Sequence, residues 1–407
     1  MNNFKNFKKD IIFVLGIFSI MVIYFFRLMY DTDYLDIFDH SMVAHGLKQS
    51  YLELFHGRTE NFVTTLSYPG WHLLFCIFYR FFRNDNLASG LTNSFFITLE
   101  SIVLLWGFRK NEFSVKKSYL YTILMIFVGP LFLEVINKNY YLGQLPANIW
   151  HNPTIISVKP FMLFSLFLTI EILIDEEINK KNFIELAVCM LISCFFKPSF
   201  MQMYGLALVI FCIAYTIVSK GIFLKKAFAF AIACIPSALA MIMQFLILYA
   251  GIFNKVANNS NVSNNAIGIS FLYVWGSLTN NVLGSLLLSI AFPMCIYIFL
   301  CRETLSKPLI QLGIAIFISG VGCFSFFYNV QTAFQADFAW GAYLAIAAVF
   351  VLACIGLERL QDQKLKYRVG FIILCLHFLC GFIYWINVYI FRSYDGGLFR
   401  LFFERGM

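Results

Sequence analysis

The feature that most constrains this chain is a succession of apolar runs, each close to the ~20 residues that an α-helix needs to cross a bilayer. The runs fall at roughly 10–27, 87–108, 119–137, 155–174, 183–199, 201–219, 227–252, 280–301, 308–327, 339–357 and 369–391. Lipid offers no water to backbone N–H and C=O groups, so segments of this kind must satisfy those groups internally, as helices. The expected fold is all-α, a polytopic transmembrane helical bundle of about 11 spans. Residues 1–407 form a single transmembrane domain. Composition points the same way: 13% of the residues are charged and 60% hydrophobic, where soluble domains carry about 25% charged residues. The first run follows Lys5, Lys8 and Lys9 in the manner of a signal peptide. Arg27, Met29 and Tyr30 stand where a small-residue cleavage site would be, so the run is read as a retained span.

One further apolar segment, Tyr68 to Phe82, is too short for an ordinary span, and its path decides the sidedness of everything after it. If it does not cross, the clusters Arg109/Lys110/Lys116/Lys117, Lys180/Lys181, Lys220/Lys225/Lys226, Arg302/Lys307 and Arg359/Lys364/Lys366/Arg368 all share the side of Lys5, Lys8 and Lys9. That arrangement obeys the positive-inside rule. The segment is therefore read as an external juxtamembrane or re-entrant helix, and the N-terminus as cytoplasmic. Residues 28–86, 138–154, 253–279, 328–338 and the tail 392–407 become external. Irregular backbone at membrane depth is tolerated only where it lines a protein cavity, so a cavity is expected on that face. The net charge of +8 resides in short loop clusters and is no nucleic-acid footprint. None of the 11 cysteines forms a CxxC pair, and most lie within apolar runs as small core residues.

The unusual polar residues collect in the external segments. The first opens with Asp31, Asp33, Asp36, Asp39 and His40, followed by His45. On a helix, Asp36 and His40 stand one turn apart, and a carboxylate beside an imidazole suits a general base. The spacing is diagnostic of no metal site. Ser67-Tyr68-Pro69-Gly70-Trp71-His72 starts the short helix, where Tyr and Trp anchor an interface and His72 is free to face a cavity. Two Lys-Pro pairs, Lys159-Pro160 and Lys197-Pro198, lie near the external ends of spans. A cation there is costly: each side chain either snorkels to the interface or serves a site, and two on one side argue for anion binding, with phosphate the natural anion. Between them run Gly143, Gln144, Asn148, Trp150, His151 and Asn152, amides and an aromatic ring of the kind that hold a sugar. Asp337 and Trp340 add an acid and a ring at the start of a late span. Glu100, Glu134 and Glu171 fall in or near spans, and sequence assigns them no role.

These residues together resemble the GT-C superfamily of membrane glycosyltransferases, which use polyprenyl-phosphate-linked sugars. The similarity rests on the acidic motif after the first span, the external juxtamembrane helix, and the Gly-Gln, Asn and Lys-Pro series. Asp36-Ile-Phe-Asp39-His40 looks like the Asp-x-x-x-His of GT-C-like proteins of bacterial surface-polysaccharide assembly. Tyr68-Pro69-Gly70-Trp71-His72 resembles their Tyr-Pro-x-x-His segment, and Phe338-Ala339-Trp340-Gly341 their late aromatic-Gly motif. The resemblance implies an inverting transferase whose aspartate base, Asp36 with Asp33 and Asp39 as rivals and His40 beside it, activates an acceptor hydroxyl. It further implies that Lys159, Lys197, His151 and His72 hold the donor phosphate. Sugar or acceptor contacts fall to Gln144, Asn148, Trp150, Asn152, Asp337 and Trp340. No metal or cofactor is implied, because fixed cations can neutralise the leaving phosphate. The chain lacks the soluble external domain, or the roughly 13 spans, that many relatives carry.

The implied partners are a polyprenyl-phosphate-linked sugar, a lipid-linked or glycan acceptor, and the bilayer. The implied setting is the plasma membrane of a bacterium, which the Lys, Asn, Ile and Phe bias fits. Two other readings stand beside this one. A polymerase of lipid-linked repeat units would call for arginines in large external loops, and the later ones carry few. A flippase or transporter of lipid-linked sugar would show broken helices at matched positions in two halves, whereas the Lys-Pro pairs are adjacent. The sequence leaves open the sugar, the acceptor and the linkage.

Overall fold

A computed structural model describes residues 2–29, 36–55, 68–175, 177–248, 267–300, 307–330, 336–394 and 396–399. They form α1 (Asn2–Leu28), α2 (Asp36–Phe55), α3 (Gly70–Phe82), α4 (Asp85–Lys110), α5 (Val115–Phe127), α6 (Pro153–Ile174), α7 (Lys180–Cys194), α8 (Ser199–Val218) and α9 (Leu224–Leu248). The later elements are β1 (Ile267–Ile269), α10 (Tyr273–Leu278), α11 (Val282–Phe299), α12 (Pro308–Phe326), β2 (Phe327–Asn329), α13 (Ala339–Glu358) and α14 (Lys364–Phe391). The architecture is the all-α polytopic bundle that the apolar runs require. Among the described residues, nine helices are long and apolar enough to cross a membrane: α1, α4, α6, α8, α9, α11, α12, α13 and α14. Among the described residues the only strands are β1 and β2, a two-stranded antiparallel ribbon in which Gly268 faces Tyr328.

Local chemistry sets the helix ends. Asn84 caps α4 by accepting from Leu87 N, and Arg109 and Lys110 close its last turn against the negative end of the helix dipole. Asn152 caps α6 and Pro153 occupies its first turn, where a missing N–H costs nothing. Helix α13 is buried along nearly its whole length and forms the centre of the bundle. Small residues let α12 approach it, since a Cβ on Gly320 would lie 2.4 Å from the Ala345 methyl. Large apolar side chains remain exposed on the outer helices, among them Ile12 on α1, Phe228 on α9 and Ile372 on α14. Such a surface matches lipid rather than water.

Two of the eleven expected spans are not single long helices. The run expected over 119–137 is helical only to Phe127, because Pro130 lacks an N–H and Gly129 breaks the turn. Residues 128–152 then continue as irregular backbone, much of it buried, where an external loop was expected over 138–154. Buried backbone demands partners, and neighbouring helices supply them. His377 of α14 lies with Nδ1 2.6 Å from Gly129 O, while its Nε2 accepts from Phe292 N. Leu288 O of α11 accepts from Leu131 N at 3.0 Å. Leu145 N donates to Ser289 Oγ, and Trp275 Nε1 to Gly143 O. Gly143 itself has φ +87°, a conformation that disfavours any side chain. The run expected over 183–199 ends at Cys194, and a turn through Phe195–Pro198 leads into α8.

Candidate active site

At the end away from α2 and α3, ion pairs join Arg109 to Asp10 at 2.6 Å and Lys117 to Glu358 at 2.5 Å. At the α2–α3 end lies a cavity of about 430 Å³ whose walls include Asp36, Tyr141, His151, Asp337, Trp340 and Tyr394. A larger cleft of about 620 Å³ between α8 and α9 is lined almost wholly by apolar side chains, with Gln202 the exception. Of the two, the first gathers the polar and titratable side chains.

Five elements converge on the polar cavity. Asp36 is the first residue of α2, and its Oδ2 accepts from Asn152 Nδ2 at 2.7 Å. Asn152 Oδ1 accepts from Ile155 N at 3.0 Å and from Thr154 Oγ1 at 2.8 Å. Thr154 Oγ1 in turn accepts from Lys197 Nζ at 2.9 Å. The turn after α7 thus delivers its lysine to the first turn of α6. The Lys197 ammonium also rests 4.5 Å from the centroid of the Trp340 ring, the first-turn aromatic of α13. Such a cation over an indole face is electrostatically attracted. Burial lowers the Lys197 pKa to about 8, a shift that the charges of Asp36 and Asp337 oppose.

His151 forms another wall. Its ring stacks on Tyr394 at 4.1 Å and meets Tyr141 edge-on at 4.7 Å. Burial lowers its pKa to about 4, so the ring is neutral near pH 7, with the Asp36 charge opposing the shift. Its Nδ1 is buried and has no hydrogen-bond partner among the described residues.

One turn after Asp36, His40 of α2 meets His72 of α3, with Nδ1 and Nε2 2.9 Å apart. Burial, then His72 and Lys197, hold the His40 pKa well below the usual imidazole range. Burial alone lowers His72 to about 4. Both rings are therefore neutral near pH 7, and His72 Nδ1 lacks a partner among the described residues. Helix α3 is drawn to the lysine turn by Gly70 N, which donates to Phe195 O at 2.8 Å. A Cβ on Gly70 would sit 2.6 Å from the Phe196 ring. Trp71 anchors the same helix through Nε1 to Asn93 Oδ1 at 2.9 Å.

The sequence-predicted residues divide. Asp36, His151, Asp337 and Trp340 line the cavity, while Asn152 and Lys197 do not line it but contact its wall residues Asp36 and Trp340. Asp39 is exposed and does not line it; partial burial and then Asp36 raise its pKa. Asp33 lies outside the described residues. Lys159 points elsewhere, forming a buried ion pair with Glu100 at 2.8 Å and a hydrogen bond to Asn148 Oδ1. Asn148 spends its amide N–H groups on Met125 O and Val128 O. Gln144 bonds Leu131 O, and Trp150 is buried among Tyr24, Phe127 and Trp385. Those four residues therefore hold the irregular segment in place. Sequence reading missed Thr154, Tyr141 and Tyr394 as site residues and Glu100 as the partner of Lys159. An Asn-Pro-Thr cap signature marks Thr154, but only the fold shows that Lys197 reaches it. No family model, no curated protein and no solved structure matches the chain.

Proposed function

We propose that this membrane protein is an inverting glycosyltransferase that moves a sugar from a polyprenyl-phosphate-linked donor to an acceptor hydroxyl at the external face. One observation carries the reading: a carboxylate, Asp36, and an ammonium, Lys197, are joined by hydrogen bonds beside one aromatic-walled cavity. General base and leaving-group stabiliser are the two roles that glycosyl transfer from a phosphate requires. Asp36 Oδ2 is occupied by Asn152, which leaves Oδ1 to take the acceptor proton. The acceptor oxygen then forms its bond to the anomeric carbon as the bond from that carbon to the phosphate oxygen breaks. The electron pair departs with the phosphate, and Lys197 offsets the charge. Attack opposite the leaving group inverts the anomeric centre. Tyr141, Tyr394, Trp340 and the neutral His151 suit a sugar ring, since they offer faces and edges without adding charge.

The cavity lies at helix ends rather than along a path through the bundle, which favours transfer over passage of lipid-linked sugar. Surface polysaccharide or glycolipid assembly at a bacterial plasma membrane is the setting that fits. Asp36→Asn, expressed in the source organism with membrane abundance held normal, is expected to abolish the dependent surface glycan. An unchanged glycan profile would remove Asp36 as the base.

A further inference from the structure

Thr154 is wholly buried, and Asn152 and Lys197 are nearly so, at 3% and 7% exposure. Buried polar groups of this kind must pair in one consistent sense. An ammonium only donates, so Thr154 Oγ1 is the acceptor of the 2.9 Å bond from Lys197. The threonine proton then goes to Asn152 Oδ1, which also takes the Ile155 N–H. Asn152 is left with Nδ2 as its only donor, and that group faces the Asp36 carboxylate. Flipping the amide would set an NH₂ against the Ile155 N–H and an oxygen against a carboxylate. The direction of every bond from Lys197 to Asp36 is thus determined, and Thr154 Oγ1 is the one atom in the series that must accept and donate at once.

From this we infer that Thr154 is a positioning residue that holds the phosphate-binding ammonium and the base carboxylate in a fixed mutual register. The inference rests on the proposed roles of Lys197 and Asp36. Without the hydroxyl, Lys197 loses the partner that aims it along the Trp340 face, and Asn152 loses a donor that fixes its amide. Serine retains both bonds, whereas valine retains only the shape.

Farnesyl phosphate, with farnesol as its uncharged counterpart, provides the test. Each is titrated against the detergent-solubilised full chain and followed by tryptophan emission. The wild type is expected to prefer the phosphate. Thr154→Val is expected to cut that preference about tenfold, the size of one hydrogen bond to a charged group. Thr154→Ser is expected to keep it within about threefold, since the hydroxyl bond is retained. Should Thr154→Val fail to fold, Thr154→Ala removes the hydroxyl without adding bulk and is held to the same expectation. Full preference in the hydroxyl-less variant overturns the role of Thr154, as does an equal loss in Thr154→Ser. A wild type with no preference for phosphate overturns the reading of Lys197 itself, and with it this inference.

Discussion

Asn152 uses one side chain for two tasks: its Oδ1 caps α6, and its Nδ2 holds Asp36 Oδ2 at 2.7 Å. The Asp36 carboxylate on α2, the proposed base, is thereby tied to the start of a helix buried in the bundle, far along the chain. The two tasks are separable. Asn152→Ser retains a capping oxygen but is too short for the carboxylate, while Asn152→Ala loses both. Thermal denaturation in detergent should find Asn152→Ala destabilised by about 1 kcal/mol and Asn152→Ser by only a few tenths. Surface glycan should fall in both. Normal glycan in Asn152→Ser would show that Asp36 needs no such tether.

The two Lys-Pro lysines should behave oppositely. Lys159 and Glu100 are each about 5% exposed on their side chains and pair at 2.8 Å. Lys159→Met leaves a buried carboxylate unpaired, which costs about 3–5 kcal/mol. Adding Glu100→Leu should restore most of that loss, because both charges are then gone. Lys197→Gln should leave stability nearly unchanged and lower phosphate affinity instead. Denaturation midpoints of the four proteins decide the matter.

Acid should destabilise the α2–α3 end. His40, His72 and His151 titrate below the ordinary imidazole range when folded, His72 and His151 at about 4. The unfolded chain then binds more protons between about pH 6.5 and 4, so stability falls as pH drops through that window. Each histidine contributes a slope of at most about 1.4 kcal/mol per pH unit. Asp39, raised in the fold, has the opposite sign and gains as pH falls. A pH series of melting temperatures should therefore decline below about pH 6.5, and His72→Gln should flatten the decline. An identical slope in that variant would contradict the account.

Gly70 marks where α3 meets the lysine turn. An added methyl would lie 2.9 Å from Phe195 O and closer still to the Phe196 ring. Gly70→Ala must therefore push α3 off the turn that carries Lys197. Reduced farnesyl phosphate affinity with the protein still folded is the expected result, measured by the same titration as for Thr154.

How far the sequence reaches is visible in individual residues. Apolar period and length locate nine long helices, since burying backbone in lipid leaves little choice of structure. The same signal overextends α5, because an apolar run does not reveal that His377 and Ser289, more than a hundred residues later, will satisfy a broken backbone. Lys197 was legible as a costly cation near a span end, Asp36 as an acid one turn from His40, and His151 as an imidazole in an amide-rich external segment. Lys159 carried the same signal, and only the fold shows Glu100 beside it. A charge in an apolar run declares that it must be compensated. Whether the compensation is a neighbouring helix or a substrate is decided by packing.

The central claim is that Asp36 serves transfer of a sugar from a lipid phosphate. Vesicles containing the purified protein, supplied with polar lipids from the source organism and followed by mass spectrometry, test it whichever sugar the donor carries. The account predicts consumption of a polyprenyl-phosphate-linked sugar with release of polyprenyl phosphate, lost in Asp36→Asn. Turnover by Asp36→Asn at the wild-type rate, or no lipid-linked sugar consumed by the wild type, would contradict it.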